Sequence, residues 1–102
     1  MDRVAILKQM VEQNPGDAFA RYGLAMEYGN AGQLEAALAE YRALVAAVPD
    51  YSAAYFHGGR VLEQLGRTGE ARELYLAGIE VTTRKGEGHA REELQAALDQ
   101  LR

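Results

Sequence analysis

The chain has 102 residues, 48% hydrophobic and 25% charged, which is enough for one packed domain and excludes a disordered or fibrous polypeptide. Fifteen acidic residues against eleven basic ones give a net charge of -4, which argues against a nucleic-acid ligand, whose phosphates require clustered Lys and Arg. The lack of cysteine excludes a disulfide framework, thiolate-bound zinc and thiol catalysis; no apolar run approaches the ~20 residues that span a bilayer.

The first predicted element is a helix over Asp2–Gln13 that carries Val4, Leu7, Met10 and Val11 and ends at Asn14-Pro15. Asp2, Arg3 and Lys8 interrupt its start, so it does not read as a signal peptide, and with no cysteine the expected compartment is the cytoplasm. Asp17–Asn30 follows as a second helix, with Leu24, Ala25 and Tyr28 on one stripe and Phe19, Tyr22 and Met26 on the adjoining one. Gly32 breaks it. Leu34, Ala37, Leu38, Tyr41, Leu44, Val45 and Val48 make a third amphipathic helix, which Pro49 stops. Asp50 or Ser52 is expected to cap a fourth helix bearing Tyr55, Phe56, Gly59, Leu62 and Leu65. After Gly66, Thr68 is expected to cap a fifth, with Ala71, Leu74, Tyr75, Ile79 and Val81, that ends near Arg84-Lys85-Gly86 with cations at its negative dipole end. Glu87–Leu101 forms the last helix, with Ala90, Leu94, Leu98 and Leu101 on one face and Arg91, Glu92, Gln95 and Asp99 off it.

The chain also matches itself when shifted by 34 residues. Pro15 falls on Pro49, Ala20 on Ala54, Gly32 on Gly66, Ala37 on Ala71, Tyr41 on Tyr75 and Ala43 on Ala77. The unit resembles the tetratricopeptide repeat (TPR), whose signature is W-x2-L-G-x2-Y, then A-x3-F, then P. The first full unit reads Arg21-x2-Leu24-Ala25-x2-Tyr28, Ala37-x3-Tyr41 and Pro49. The second reads Tyr55-x2-Gly58-Gly59-x2-Leu62 and Ala71-x3-Tyr75, with Thr83 in place of the proline. Arg21 stands where an aromatic is usual and Gly58 where Leu is usual.

The resemblance implies an all-α fold: a right-handed superhelical solenoid of helix hairpins, about six helices in a single domain over 1–102. Residues 1–15 are then an N-terminal half repeat, 18–51 and 52–85 two full repeats, and 87–102 a C-terminal capping helix. Ala25, Gly59, Ala37 and Ala71 are the small residues expected where helices approach closely, with Tyr28, Tyr41, Leu62 and Tyr75 filling the wider gaps.

In such arrays the first helix of each pair lines a concave groove. The resemblance therefore implies partner-binding positions at Phe19, Tyr22, Met26, Gly29 and Asn30, and at Ala53, Phe56, His57, Arg60, Glu63 and Gln64, suited to a peptide or helix of another protein. A contrary expectation is that Phe19 and Tyr22 pack against the first helix. The Lys, Asn and Arg set with which some relatives of this kind grip a C-terminal carboxylate is missing. His57 and His89 lie 32 residues apart with no acidic ligand pattern beside them. No metal, cofactor, catalytic residue, nucleic acid or membrane partner is expected. A non-catalytic protein-interaction module is the leading expectation. The alternative is a homodimeric assembly part that buries the same apolar surface.

Overall fold

The computed structural model describes residues 2–102. Among the described residues the chain forms six helices: α1 (Arg3–Gln13), α2 (Ala18–Asn30), α3 (Leu34–Ala47), α4 (Ser52–Gln64), α5 (Thr68–Lys85) and α6 (Gly88–Asp99). Each packs on its neighbour in sequence, and α4 also touches α6, so the helices stack as successive hairpins in a solenoid.

Local signals set most of the boundaries. Asp2 and Asp17 cap α1 and α2 by accepting the backbone N–H groups of Val4 at 3.1 Å and Ala20 at 3.0 Å. Gly32 and Gly66 turn the chain at φ +77° and +75°, in the left-handed region that glycine enters without a Cβ clash. The caps expected from Asp50, Ser52 and Thr68 do not form. Helix α4 begins at Ser52 after Tyr51, and α5 begins at Thr68 itself after Arg67, with no side-chain cap at either. Asp50 and Ser52 are drawn elsewhere. The Asp50 carboxylate accepts from Arg84 at 2.9 Å, its carbonyl accepts from Lys85 at 2.7 Å, and the Ser52 hydroxyl donates to Glu87. A long-range clamp between the start of α4 and the end of α5 thus replaces a local cap.

Close approach organises the core. Ala25, Ala37, Ala54, Ala71 and Tyr75 are fully buried, and Tyr41 and Leu62 nearly so, while Tyr28 is half-buried. At Gly59 the ring of Tyr75 occupies the space a Cβ would need. At Gly58 a Cβ would stand 2.9 Å from Leu74 Cδ2 and 3.3 Å from Tyr41 Cβ, so the missing leucine is a site of approach rather than a gap. Gly78 serves the same end between α4 and α6, where a Cβ would lie 2.6 Å from Tyr55 Cβ. Arg21, in the place of the usual aromatic, joins α2 to α3 through a 2.8 Å ion pair with Glu40.

The helix starts show one break in the period. From Ala18 to Ser52 is 34 residues, but from Ser52 to Gly88 is 36, because α5 runs 18 residues where α3 runs 14 and the connection after it is two residues shorter. Helix α6 therefore repeats the role of α2 and α4 two residues out of phase, and places Leu94 and Ala97 in the core.

Candidate functional site

The first helices of the hairpins, α2 and α4, and the last helix α6 share one face. On its α2–α4 stretch, aromatic rings meet. Tyr22 lies 5.4 Å from Tyr51, 5.9 Å from His57 and 6.4 Å from Tyr41 between ring centroids, and His57 stacks on Tyr41 at 6.4 Å. Phe56 meets the edge of His57 at 5.3 Å, and the Arg60 guanidinium lies 5.8 Å from the Phe56 ring centre. Burial lowers the pKa of His57, the nearby Arg60 charge adds to that, and Glu93 opposes it; the imidazole is held neutral. Burial raises the pKa values of Tyr22 and Tyr41, so both stay protonated hydroxyls.

On the α4–α6 stretch the face opens into a cleft of about 600 Å³. Ala53, Phe56, Ala90 and Leu94 give it an apolar lining, and His57, His89, Glu87 and Glu93 its polar groups. Helix α6 lies alongside α4 here, its start 36 residues after that of α4. A second, smaller cleft continues along the same helices past Arg60, Glu63 and Glu93.

The residues singled out in the sequence separate into three groups. Tyr22, Phe56 and His57 gather with their rings in contact, and Arg60 lies over the Phe56 ring from an exposed position. Met26 is half-buried and its sulfur accepts the Tyr41 hydroxyl at 3.0 Å, which ties it to the core. Phe19, Asn30 and Gln64 are exposed, Phe19 at 78%. Phe19 is thus not packed on α1, and Tyr22 turns to Tyr51 and His57 instead. The half-buried Gly29 points toward Ala37 of α3, 4.0 Å from where its Cβ would be. Tyr51, Glu87, His89 and Glu93 were not legible as part of this face. A 36-residue comparison, which sets Leu98 on Leu62 and Ala90 on Ala54, is the signal that would have placed the last helix beside α4.

Comparison with known proteins agrees with the fold. A tetratricopeptide repeat domain protein from Salinibacter ruber has 40% sequence identity over 83% of this chain and 86% of its own, with a TM-score of 0.79. The chain belongs to the tetratricopeptide repeat family. Two more distant structures share the TPR fold. The TPR2B domain of yeast Sti1, in complex with pHsp70, is 17% identical, covers 93% of this chain and 76% of its own, and has a TM-score of 0.87. The type III secretion translocator chaperone SycD of Yersinia enterocolitica is 18% identical over 94% and 67% of the two chains, also at 0.87. No family model and no curated protein matches the chain. In TPR terms the shared face of α2, α4 and α6 is the one formed by the first helix of each repeat. Among the described residues, no helix is long and apolar enough to cross a membrane.

Proposed function

We propose that this TPR chain is a non-catalytic, cytoplasmic protein-interaction module that receives a peptide or helix of a partner along the face of α2, α4 and α6. We read residues 1–15 as a half repeat, 18–51 and 52–85 as full repeats and 87–102 as the cap. The observation that carries the reading is the continuity of the ring cluster at Tyr22, Tyr51, His57 and Phe56 with the open, apolar-lined cleft. Aromatic rings give large contact area at small entropic cost, and a concave apolar site with a few placed polar groups is the usual form of a recognition surface. Phe19, Asn30 and Gln64 extend the face as exposed contacts, Arg60 and His57 supply polar ones, and Met26 supports the ring cluster from behind. The TPR domain of yeast Sti1, in its complex with pHsp70, lends the reading a precedent of fold only.

The test compares wild-type protein with Phe56→Glu in capture from a lysate of the source organism, after circular dichroism has established that the variant folds. A partner retained by wild type and lost by Phe56→Glu, with a weakening of about ten-fold or more for a central aromatic, supports the module. Identical capture by both proteins would exclude this face. The exposure of Phe19, with Ile6 at 37% and Met10 at 42%, favours a second reading, a homodimer closed by apolar contact. Light scattering that reports a concentration-independent dimer would select it.

A further inference from the structure

We infer that the cleft between α4 and α6 selects a segment in which a large apolar side chain is followed closely by a lysine or arginine. The inference rests on the reading of this face as the binding surface and adds the chemistry of its occupant.

The charged lining carries the argument. Two carboxylates, Glu87 and Glu93, line the cleft, and no lysine or arginine does. Glu87 is already engaged: it accepts the Ser52 hydroxyl and pairs with Lys85 at 3.3 Å. Glu93 is not. Among the described residues its one ion-pair partner is His89 at 3.9 Å, a contact that carries charge only when the imidazole is protonated. Glu93 also stands where the two clefts meet, lining both. In the second cleft Glu63 accepts the Tyr75 hydroxyl, and the Arg60 guanidinium lies over Phe56. The free acceptor on the path is therefore Glu93, next to a floor of Ala53, Phe56, Ala90 and Leu94.

An occupant that seats a leucine or phenylalanine on this floor brings its next residues to the Glu93 carboxylate. A cation there gains an ion pair with a half-exposed carboxylate beside the apolar floor. A glutamate or a terminal carboxylate meets the like charge of Glu93, which no lysine or arginine among the described residues pairs with and which Arg60, over the Phe56 ring, offsets only in part. The net charge of -4 draws the same class of ligand from a distance.

Fluorescence anisotropy with three dye-labelled peptide pools tests the inference. All three carry a central leucine or phenylalanine in a neutral polar background, flanked by lysine in one, glutamine in the second and glutamate in the third. Wild type is expected to hold the lysine pool about ten-fold more tightly than the glutamate pool. Glu93→Gln should reduce that preference to about two-fold, and Glu93→Lys should reverse it. Phe56→Ala should weaken all three pools together. If wild type binds the pools equally and Phe56→Ala still weakens them, the binding face stands and the charge selection is wrong. A preference that survives Glu93→Gln likewise overturns the role of this carboxylate. If no pool binds wild type, the binding face itself falls and the inference falls with it.

Discussion

At one end of the stack α1 rests on α2 through Val4, Leu7 and Val11, in a small cluster with Ala20 and Leu24 that is separate from the main core. Ile6 and Met10 stay at the surface, and the cross-helix polar link is the exposed pair of Arg3 and Glu27 at 2.8 Å. At the other end α6 sets Leu94 at 1% exposure and Ala97 into the main core, which runs without a break from Ala25 to Ala97. Its outward residues Arg91, Glu92 and Asp99 are charged and exposed. The Asp50–Arg84, Asp50–Lys85 and Ser52–Glu87 contacts tie the loops beneath it. A repeat protein is held by its intrinsic units and nearest-neighbour interfaces, so the weaker interface opens first. Helices α2–α6 should therefore open as one cooperative unit, with α1 an attachment that opens at lower free energy. The face proposed for binding lies on this unit.

Two core deletions give the largest contrast. Leu94→Ala should cost about 3–4 kcal/mol and lower the melting temperature of the whole unit, because it leaves a cavity among α4, α5 and α6. Val11→Ala should cost about 1–2 kcal/mol, with the loss confined to the amides of α1. Hydrogen exchange beside denaturant melts separates the cases. Equal acceleration of α1 exchange in both variants would break the division into unit and attachment.

A pair of glycines sharpens it next. Gly78→Ala should destabilise by about 2 kcal/mol, since its methyl group would stand 2.6 Å from Tyr55 Cβ and 3.0 Å from Leu94 Cδ1, and the Tyr55 Cβ moves only with the backbone of α4. Gly69→Ala lies on the same helix with nothing within 4 Å, and should stabilise by about 0.5–1 kcal/mol from helix propensity alone. Thermal melts of the two variants with shifts in the same direction would contradict the close approach at Gly78.

How much of this was readable depended on whether the cause was local. Gly32, Gly66, Pro15 and Pro49 act on their own backbone, so the turns and the 34-residue period stood in the sequence. The small residues at Ala25, Ala37, Gly59 and Ala71 mark helix contacts by size, and that too is a property of the residue. The caps expected at Asp50 and Ser52 do not form because competing partners lie 34 and 35 residues away, as Arg84, Lys85 and Glu87 do, while Thr68 falls inside α5, whose start follows Arg67. The face was half legible for a similar reason. Tyr22 and Phe19 sit three positions apart on one helix, yet Tyr22 reaches Tyr51 and His57 across the hairpins while Phe19 stays in solvent. Glu93 and His89 line the cleft from α6, whose start is shifted by two residues from the 34-residue period, and a strict 34-residue register hides that shift.

The smallest expected effect concerns acid, and it acts on the unit alone. His57 on α4 touches Tyr22 of α2, Tyr41 of α3 and its neighbour Phe56, with Arg60 one turn along and Glu93 facing it from α6. Burial and the Arg60 charge hold its folded pKa below the ordinary 6.5, against the opposing pull of Glu93. As pH falls through 6.5, the unfolded chain takes up a proton that the folded chain resists, so stability declines from there down to the folded pKa. Above 6.5 both states carry neutral imidazole and this contribution is constant. Hydrogen exchange at about one pH unit above and one below that value should show the opening free energy of α2–α6 falling toward that of α1, whose local opening leaves His57 packed. His57→Gln should abolish the difference between the two conditions. A slope that persists in His57→Gln would move its source to the carboxylates, and an acid response in α1 equal to that in α4 would mean that the stack opens as one body.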